Sequence, residues 1–294
     1  MLEHLTTESR NEKTMNLDSL DVIEVLKLMN NEDQKVAVCI QNELSQIAEA
    51  VKFGIRSLQN GGRLIYLGAG TSGRIGLLDA VECPPTFNTN LDTVIGIIAG
   101  GQNAFIQAVE GAEDDINLAS QDLKNINLSS NDLVIGIAAS GRTPYVIGGL
   151  SYANTIGAKT VSISCNKGSE IGKIAKVAIE VVTGPEILTG STRLKAGTAQ
   201  KLICNMISTA TMIGLGKVYG NLMVDLQPTN KKLEERAKRI IMDATDCSYE
   251  VAETYLHKSK NQAKVAIVMI LTNLSYQEAI KRLEQSNGFI KGAL

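Results

Sequence analysis

The chain has little with which to build the commonest catalytic sites. Of its 294 residues only two are histidine, His4 and His257, and neither follows a run with strand character. A Ser-His-Asp triad would have to enlist one of them, and no HExxH or Cys/His cluster marks a zinc site. The five cysteines, Cys39, Cys83, Cys165, Cys204 and Cys247, form no CxxC; their odd number and wide spacing suit reduced thiols rather than a disulfide framework. Tryptophan is absent and aromatics make up 4%, too few for a base-stacking platform. The 29 basic side chains are offset by 31 acidic ones, so there is no basic footprint for DNA or RNA. The longest charge-free run, Thr93–Val109, has 17 residues and is broken by Gly96, Gly100 and Gly101, short of a membrane span. The opening MLEHLTTESRNEK is polar and acidic, unlike a signal peptide. With 44% hydrophobic and 20% charged residues, the expectation is a globular cytoplasmic protein with neither nucleic acid nor membrane as partner. Its acid–base chemistry would fall to carboxylates, lysine or tyrosine.

Three regions follow from periodicity. Residues 1–60 form a helical lead-in. Asp18 or Ser19 would cap a helix with Leu20, Ile23, Leu26 and Leu28 on its apolar face, and a longer helix over Val36–Leu58 would end at Asn60-Gly61-Gly62. Residues 61–228 alternate short apolar runs with helical stretches. Strands are predicted over Arg63–Leu67, Thr93–Ile98, Leu133–Ala138, Thr160–Ser164 and Ala178–Val182. The helices between them are predicted over Ile75–Cys83, Ala104–Leu123, Tyr145–Ile156 and Ile171–Ala175, and a long one over Thr192–Tyr219 would use Leu202, Met206, Met212 and Ile213. Five such strands make an α/β domain, a parallel sheet covered on both faces that binds ligands at the carboxyl ends of its strands. Residues 229–294 are charged and helical throughout, with Ser248 and Ser275 placed as caps of a small three-helix bundle.

Four segments could carry chemistry. Gly68-Ala69-Gly70-Thr71-Ser72-Gly73-Arg74 follows the first strand and opens a helix, which suits a phosphate, although a turn needed only for packing reads the same way. Ala139-Ser140-Gly141-Arg142-Thr143-Pro144 repeats that logic after the third strand, with proline at a helix start. Ser191-Thr192-Arg193-Leu194-Lys195 concentrates cations at a helix N-terminus, against the dipole; they serve an anion, a partner carboxylate or simply a solvated face. Glu82, before Cys83-Pro84-Pro85, and Glu113, in Glu110-Gly111-Ala112-Glu113-Asp114-Asp115, are the candidate carboxylate pair, and solvated surface acids are the plain alternative. The double proline predicts a sharp end to the helix beside Glu82.

Taken together, GAGTSGRIGLLDAVECPPTF, IAGGQNAFIQAVEGAEDD, AASGRTPYV and GSTRLKAGTAQK, with the N-terminal LTTESRNEKTMNLDSLD, closely resemble the N-acetylmuramic acid 6-phosphate etherases over essentially the whole chain. The resemblance implies a sugar isomerase (SIS) domain, a doubly wound three-layer sandwich on a five-stranded parallel sheet, followed by a small bundle similar to ubiquitin-associated domains. It implies a cytoplasmic homodimer without metal or organic cofactor. Its substrate would be a phosphosugar, whose lactyl ether is cleaved to N-acetylglucosamine 6-phosphate and D-lactate in peptidoglycan recycling. It casts Glu82 as proton donor and leaves Glu113 or a water as base. Gly70, Thr71, Ser72 and Gly73, with Ser140, Gly141, Arg142 and Thr143, become the phosphate loops, and Ser191, Thr192, Arg193 and Lys195 contacts to the substrate carboxylate or sugar. Two other classes compete. A phosphosugar aldose–ketose isomerase shares the loops and the proton transfer. A non-enzymatic phosphosugar sensor would need the loops without the glutamate pair, and no helix-turn-helix precedes the α/β region.

Overall fold

The computed structural model describes residues 5–107, 109–228 and 230–294. His4 and Thr229, where the C-terminal region was expected to begin, lie outside the described residues, as does Ala108 of the charge-free run. Two compact units are present. One runs up to Val81 and resumes over Asp92–Ser208; the other comprises Glu82–Leu91 and Thr209–Leu294.

The lead-in folds differently from its periodicity. Helix α1 is Val22–Ile40, capped by Asp21, whose side chain accepts the Glu24 N–H at 3.0 Å, rather than by Asp18 or Ser19. Val22, Ile23 and Leu26 are exposed, Val22 to 76%, while Glu32, Val36 and Ile40 turn inward. The helix expected over Val36–Leu58 is interrupted by a 3-10 turn at Gln41–Glu43 before α2, Leu44–Gln59. The interruption has a tertiary cause: the buried Glu43 carboxylate accepts the Glu180 N–H at 3.2 Å and pairs with Lys167.

The α/β order is β1 (Leu64–Gly68), α3 (Gly70–Phe87), β2 (Val94–Ile98), α4 (Asn103–Ile106), α5 (Leu118–Asn125), β3 (Leu133–Ile137), α6 (Pro144–Ile156), β4 (Lys159–Ser164), α7 (Glu170–Ile174), β5 (Val177–Glu180) and α8 (Lys195–Gly214). All five strands pair in parallel, in the order β2-β1-β3-β4-β5. β1 and β3 are buried at every position, as strands covered on both faces must be, which is why they read as continuous apolar runs. Leu67 and Val134 pack under α5 and α6; Tyr66 and Ile137 lie under α3. At the N-terminal end of the strands Arg63 forks onto Asp132, Nε to Oδ1 at 3.1 Å and Nη2 to Oδ2 at 2.8 Å. Burial opposes that charge, but Arg63 and the Ser129 N–H hold the Asp132 carboxyl below its ordinary value.

The single helix predicted over Ala104–Leu123 is two short ones, α4 and α5, separated by a turn at Gly111 with φ of +76°. Pro84 and Pro85 do not stop α3 where they stand. Each removes one N–H donor and crowds the carbonyl four residues back, yet the helix reaches Phe87 and ends at left-handed Asn88, whose N–H donates to the Pro84 carbonyl at 2.9 Å. The long helix is shorter than expected; its buried face is carried by Ile203, Cys204, Ile207 and the expected Met212, with Leu202 half-buried and Met206 and Ile213 exposed.

In the second unit, helices α9 (Lys231–Thr245), α10 (Tyr249–Lys258), α11 (Ala263–Thr272), α12 (Tyr276–Gln285) and α13 (Ile290–Ala293) make five elements rather than three. They close on Ile241, Leu256, Ala266 and Ile267, joined by Val224 and Leu226. The expected caps form: Ser248 accepts from Val251 N–H, and Ser275 makes a full capping box with Glu278. No helix among the described residues is long and apolar enough to cross a membrane.

Candidate active site

In the order β2-β1-β3, the chain winds one way from β1 to β2 and the other way from β3 onward. The loops leaving the carboxyl ends of β1 and β3 therefore flank the switch point, where open α/β sheets open a crevice. These are the two hydroxyl loops. Gly70, Thr71 and Ser72 form the first turn of α3, whose N–H groups have no partner within the helix. Gly73 is required by close approach, because a Cβ there would lie 2.6 Å from the Gly68 carbonyl oxygen. Ser72 is buried and its hydroxyl donates to Gln200 Oε1 at 3.0 Å.

After β3, Gly141 has φ of +73°, and a Cβ on it would lie 2.4 Å from Ser169 Cβ. Ser140 Oγ accepts the Arg142 N–H at 3.3 Å, and Arg142 Nε donates to Glu170 at 3.0 Å. Thr143 occupies the N-cap of α6 with Pro144 in its first turn. The loop is held from behind by Asn166, whose Nδ2 donates to the Ala139 carbonyl at 3.2 Å while its Oδ1 accepts the Thr6 N–H at 2.8 Å. The N-terminal arm is thus tied to the β4 loop that supports the site. Thr6 stands in the LTTESRNEK segment, but nothing local in the sequence tells that its partner is Asn166, 160 residues away.

Glu113 lies beside the start of α6. Its carbonyl accepts the Tyr145 N–H at 3.0 Å, fastening the Glu113 turn to the start of α6. Glu113, Glu110, Gly70 and Arg74 line one cavity of about 230 Å³. Arg74 donates from Nε to the Phe105 carbonyl at 2.9 Å and from Nη2 to the Ala104 carbonyl at 2.8 Å. Arg74 stands inside the first loop motif, and its cavity position is what sequence reading passed over. Glu113 is exposed, and Glu82 is exposed in the last turns of α3. A larger cavity, about 850 Å³, lies in the helical unit beside Asp225 and Lys264, and none of the expected site residues lines it.

The third segment divides. Arg193 is exposed and Ser191 and Thr192 half-buried, but Lys195 is 1% exposed and its Nζ donates to Glu32 Oε2 at 2.8 Å. Of the alternatives open for that lysine, this chain supplies the partner carboxylate. The unfavourable dipole is met by a second acid: Glu186 accepts the N–H groups of Lys195 and Ala196, each at 2.9 Å, and so caps α8. Although burial raises it, the Glu32 carboxyl is held below its ordinary value by Lys195 and Lys35. His257 is exposed in the last turn of α10, with no place in the α/β unit.

A parallel sheet in this order, with hydroxyl loops at the switch point, defines a doubly wound α/β domain, and comparison with known proteins agrees. Residues 46–154 match the glucokinase regulatory protein N-terminal SIS domain and residues 114–210 the SIS domain. Phosphoheptose isomerase from Neisseria gonorrhoeae superposes with a TM-score of 0.50 at 15% identity, covering 65% of this chain and 98% of that one. The E. coli CFT073 protein c3406 does so at 0.50 and 15%, covering 69% and 97%. Over its full length, and the full length of each relative, the chain is 63% identical to the N-acetylmuramic acid 6-phosphate etherases of Bacillus cytotoxicus and Bacillus cereus strain ATCC 10987. The chain belongs to the N-acetylmuramic acid 6-phosphate etherase family.

Proposed function

We propose that this protein cleaves the D-lactyl ether of N-acetylmuramic acid 6-phosphate, giving N-acetylglucosamine 6-phosphate and D-lactate. The observation that carries the reading is Glu113 sharing a cavity with the first phosphate loop, in a chain of this family. In the open-chain sugar the C2 proton lies α to the aldehyde. Glu113, or a water it holds, removes that proton; the C3–O bond breaks and Glu82 protonates the departing lactate oxygen. Water then adds at C3 of the unsaturated aldehyde and C2 is reprotonated. One carboxyl starts ionised and the other protonated, so their surroundings must separate them. The 70–73 and 140–143 loops hold the phosphate, and Arg193 with Ser191 and Thr192 the sugar or lactyl carboxylate. Lys195 belongs to that set through the backbone it anchors.

The protein works as a cytoplasmic homodimer with its sites near the subunit contact. Two observations support this. Both glutamates are exposed in the single chain, whereas acid–base chemistry of this kind gains from excluded water. The 230 Å³ cavity is also smaller than the roughly 300–1,000 Å³ of ordinary small-molecule sites. By role, residues 1–60 brace the domain, 61–228 carry the substrate loops and 229–294 form the appended bundle. Incubation with the substrate in ¹⁸O-water and in D₂O tests the chemistry. Label is expected at C3 and deuterium at C2 of the product; label in the lactate hydroxyl would mean displacement at the lactyl carbon and end this reading.

A further inference from the structure

Ser72 stands in the loop read as the phosphate holder, yet its proton is already engaged by Gln200 Oε1. Gln200 is 1% exposed, and its Nε2 is buried with no hydrogen-bond partner among the described residues. A buried amide nitrogen left idle is costly, and an idle carbonyl oxygen is the more tolerated of the two. Turning the carboxamide by half a revolution about its terminal bond exchanges Oε1 and Nε2 in the same volume. Nε2 then donates to Ser72 Oγ, and the Ser72 proton is released to another acceptor. The start of α8 is close enough to act on the loop: a Cβ on Gly197 would lie 3.5 Å from Thr71 Cγ2.

We propose that Gln200 is a positioning residue for phosphate capture, whose carboxamide turns so that Ser72 changes from donating to the protein to donating to the substrate phosphate. The proposal rests on reading residues 70–73 as a phosphate loop. A glutamine suits this task because it offers both an acceptor and a donor at one site. A carboxylate can only accept, and would hold the Ser72 proton while facing the incoming phosphate with like charge.

The test uses the full chain and four variants: Ser72→Ala, Gln200→Met, Gln200→Glu and the double variant Ser72→Ala/Gln200→Met. For each, kcat and KM are measured with N-acetylmuramic acid 6-phosphate, together with inhibition by inorganic phosphate. Ser72→Ala is expected to raise KM by about 10-fold, Gln200→Met by about 3-fold and Gln200→Glu by about 10-fold or more, with kcat within about 2-fold of wild type. Phosphate inhibition should weaken in the same order. In the Ser72→Ala background, Gln200→Met should change KM no further, which a merely structural role would not produce. Wild-type KM in Gln200→Met, or an effect adding in full to that of Ser72→Ala, overturns the role of Gln200 and leaves the loop reading intact. Wild-type KM in Ser72→Ala overturns the loop reading itself, and this inference with it. Should Gln200→Glu fail to fold, the near-isosteric Gln200→Met and the double variant decide.

Discussion

The two units differ in how far along the chain most of their polar groups find partners. In the α/β unit the buried partners come from far apart in the chain. Asp79 accepts from Tyr66 Oη at 2.8 Å, Asn205 Nδ2 at 2.6 Å and Ser208 Oγ at 3.1 Å, the last two from 126 and 129 residues away. Lys195 reaches Glu32 across 163 residues. In the helical unit the polar bonds are mostly local. Ser248 and Ser275 cap their own helices, and Lys238 pairs with Glu234 and Glu253 at the rim of α9. The lesson is one of purpose. Long-range buried bonds fix where loops stand relative to one another, which a site needs; local caps and an apolar core only need to keep helices folded.

Substitutions can break that contrast. The largest effect is expected from Glu113→Gln and Glu82→Gln, each lowering kcat by about 100-fold or more, the scale of a positioned acid or base. Steady-state lactate release checks this, and a loss below about 10-fold would remove that residue from the chemistry. Next comes the buried pair. Lys195→Met should cost about 2 kcal/mol in urea unfolding, less than the ~3–5 kcal/mol of stripping a fully buried pair, because Lys35 still faces Glu32.

The same pair sets an acid dependence. The Glu32 carboxyl is depressed in the fold, so its contribution is complete above the ordinary value near ~4.3 and is lost as pH falls through the depressed one. Wild type should therefore lose its advantage over Lys195→Met as pH falls below about 4; an advantage unchanged at about pH 3 would deny the pair that role. In the helical unit, Ser275→Ala should cost about 1 kcal/mol by thermal unfolding and leave kcat unchanged. A fall in kcat would show that this unit is not confined to a structural part. The smallest effect is in thiol reactivity. Cys165 is buried and pushed up to about 12, chiefly by burial and then by Glu186, and Cys204 is driven up by burial too. The half-buried Cys39 and Cys247 should be the two that an aromatic disulfide reagent titrates in the native protein.

How far the site could be read varies residue by residue. The two hydroxyl loops announce themselves because Ser/Thr-Gly after an apolar run is local information, and the structure sets both at the switch point. Glu113 is marked by its motif, but its cavity is not, since that depends on how the Gly111 turn folds against α3 and α6. Lys195 shows the limit most clearly. Local charge left an anion, a partner carboxylate or a solvated face open; Glu32 from the lead-in supplies the carboxylate. Arg74 and Gln200 stand in the motif segments without a role of their own, and Asn166 stands in none, because each acts on backbone or hydroxyl groups brought near by the fold.

The amino-acid sequence by itself determined the five parallel strands, the loops that follow them and the serine caps of the last helices. Each is set by a pattern only a few residues long: apolar runs, glycine-hydroxyl turns and capping residues. Tertiary structure alone decided which face of α1 turns inward, where Val36–Leu58 breaks, and why α8 begins at Lys195. Glu32 and Glu43, both buried, meet donors 163 and 137 residues away, and the buried Glu186 folds back onto the Lys195 and Ala196 N–H groups nine and ten residues on. A buried charge must find its partner wherever the fold provides one, and helix periodicity carries no record of that.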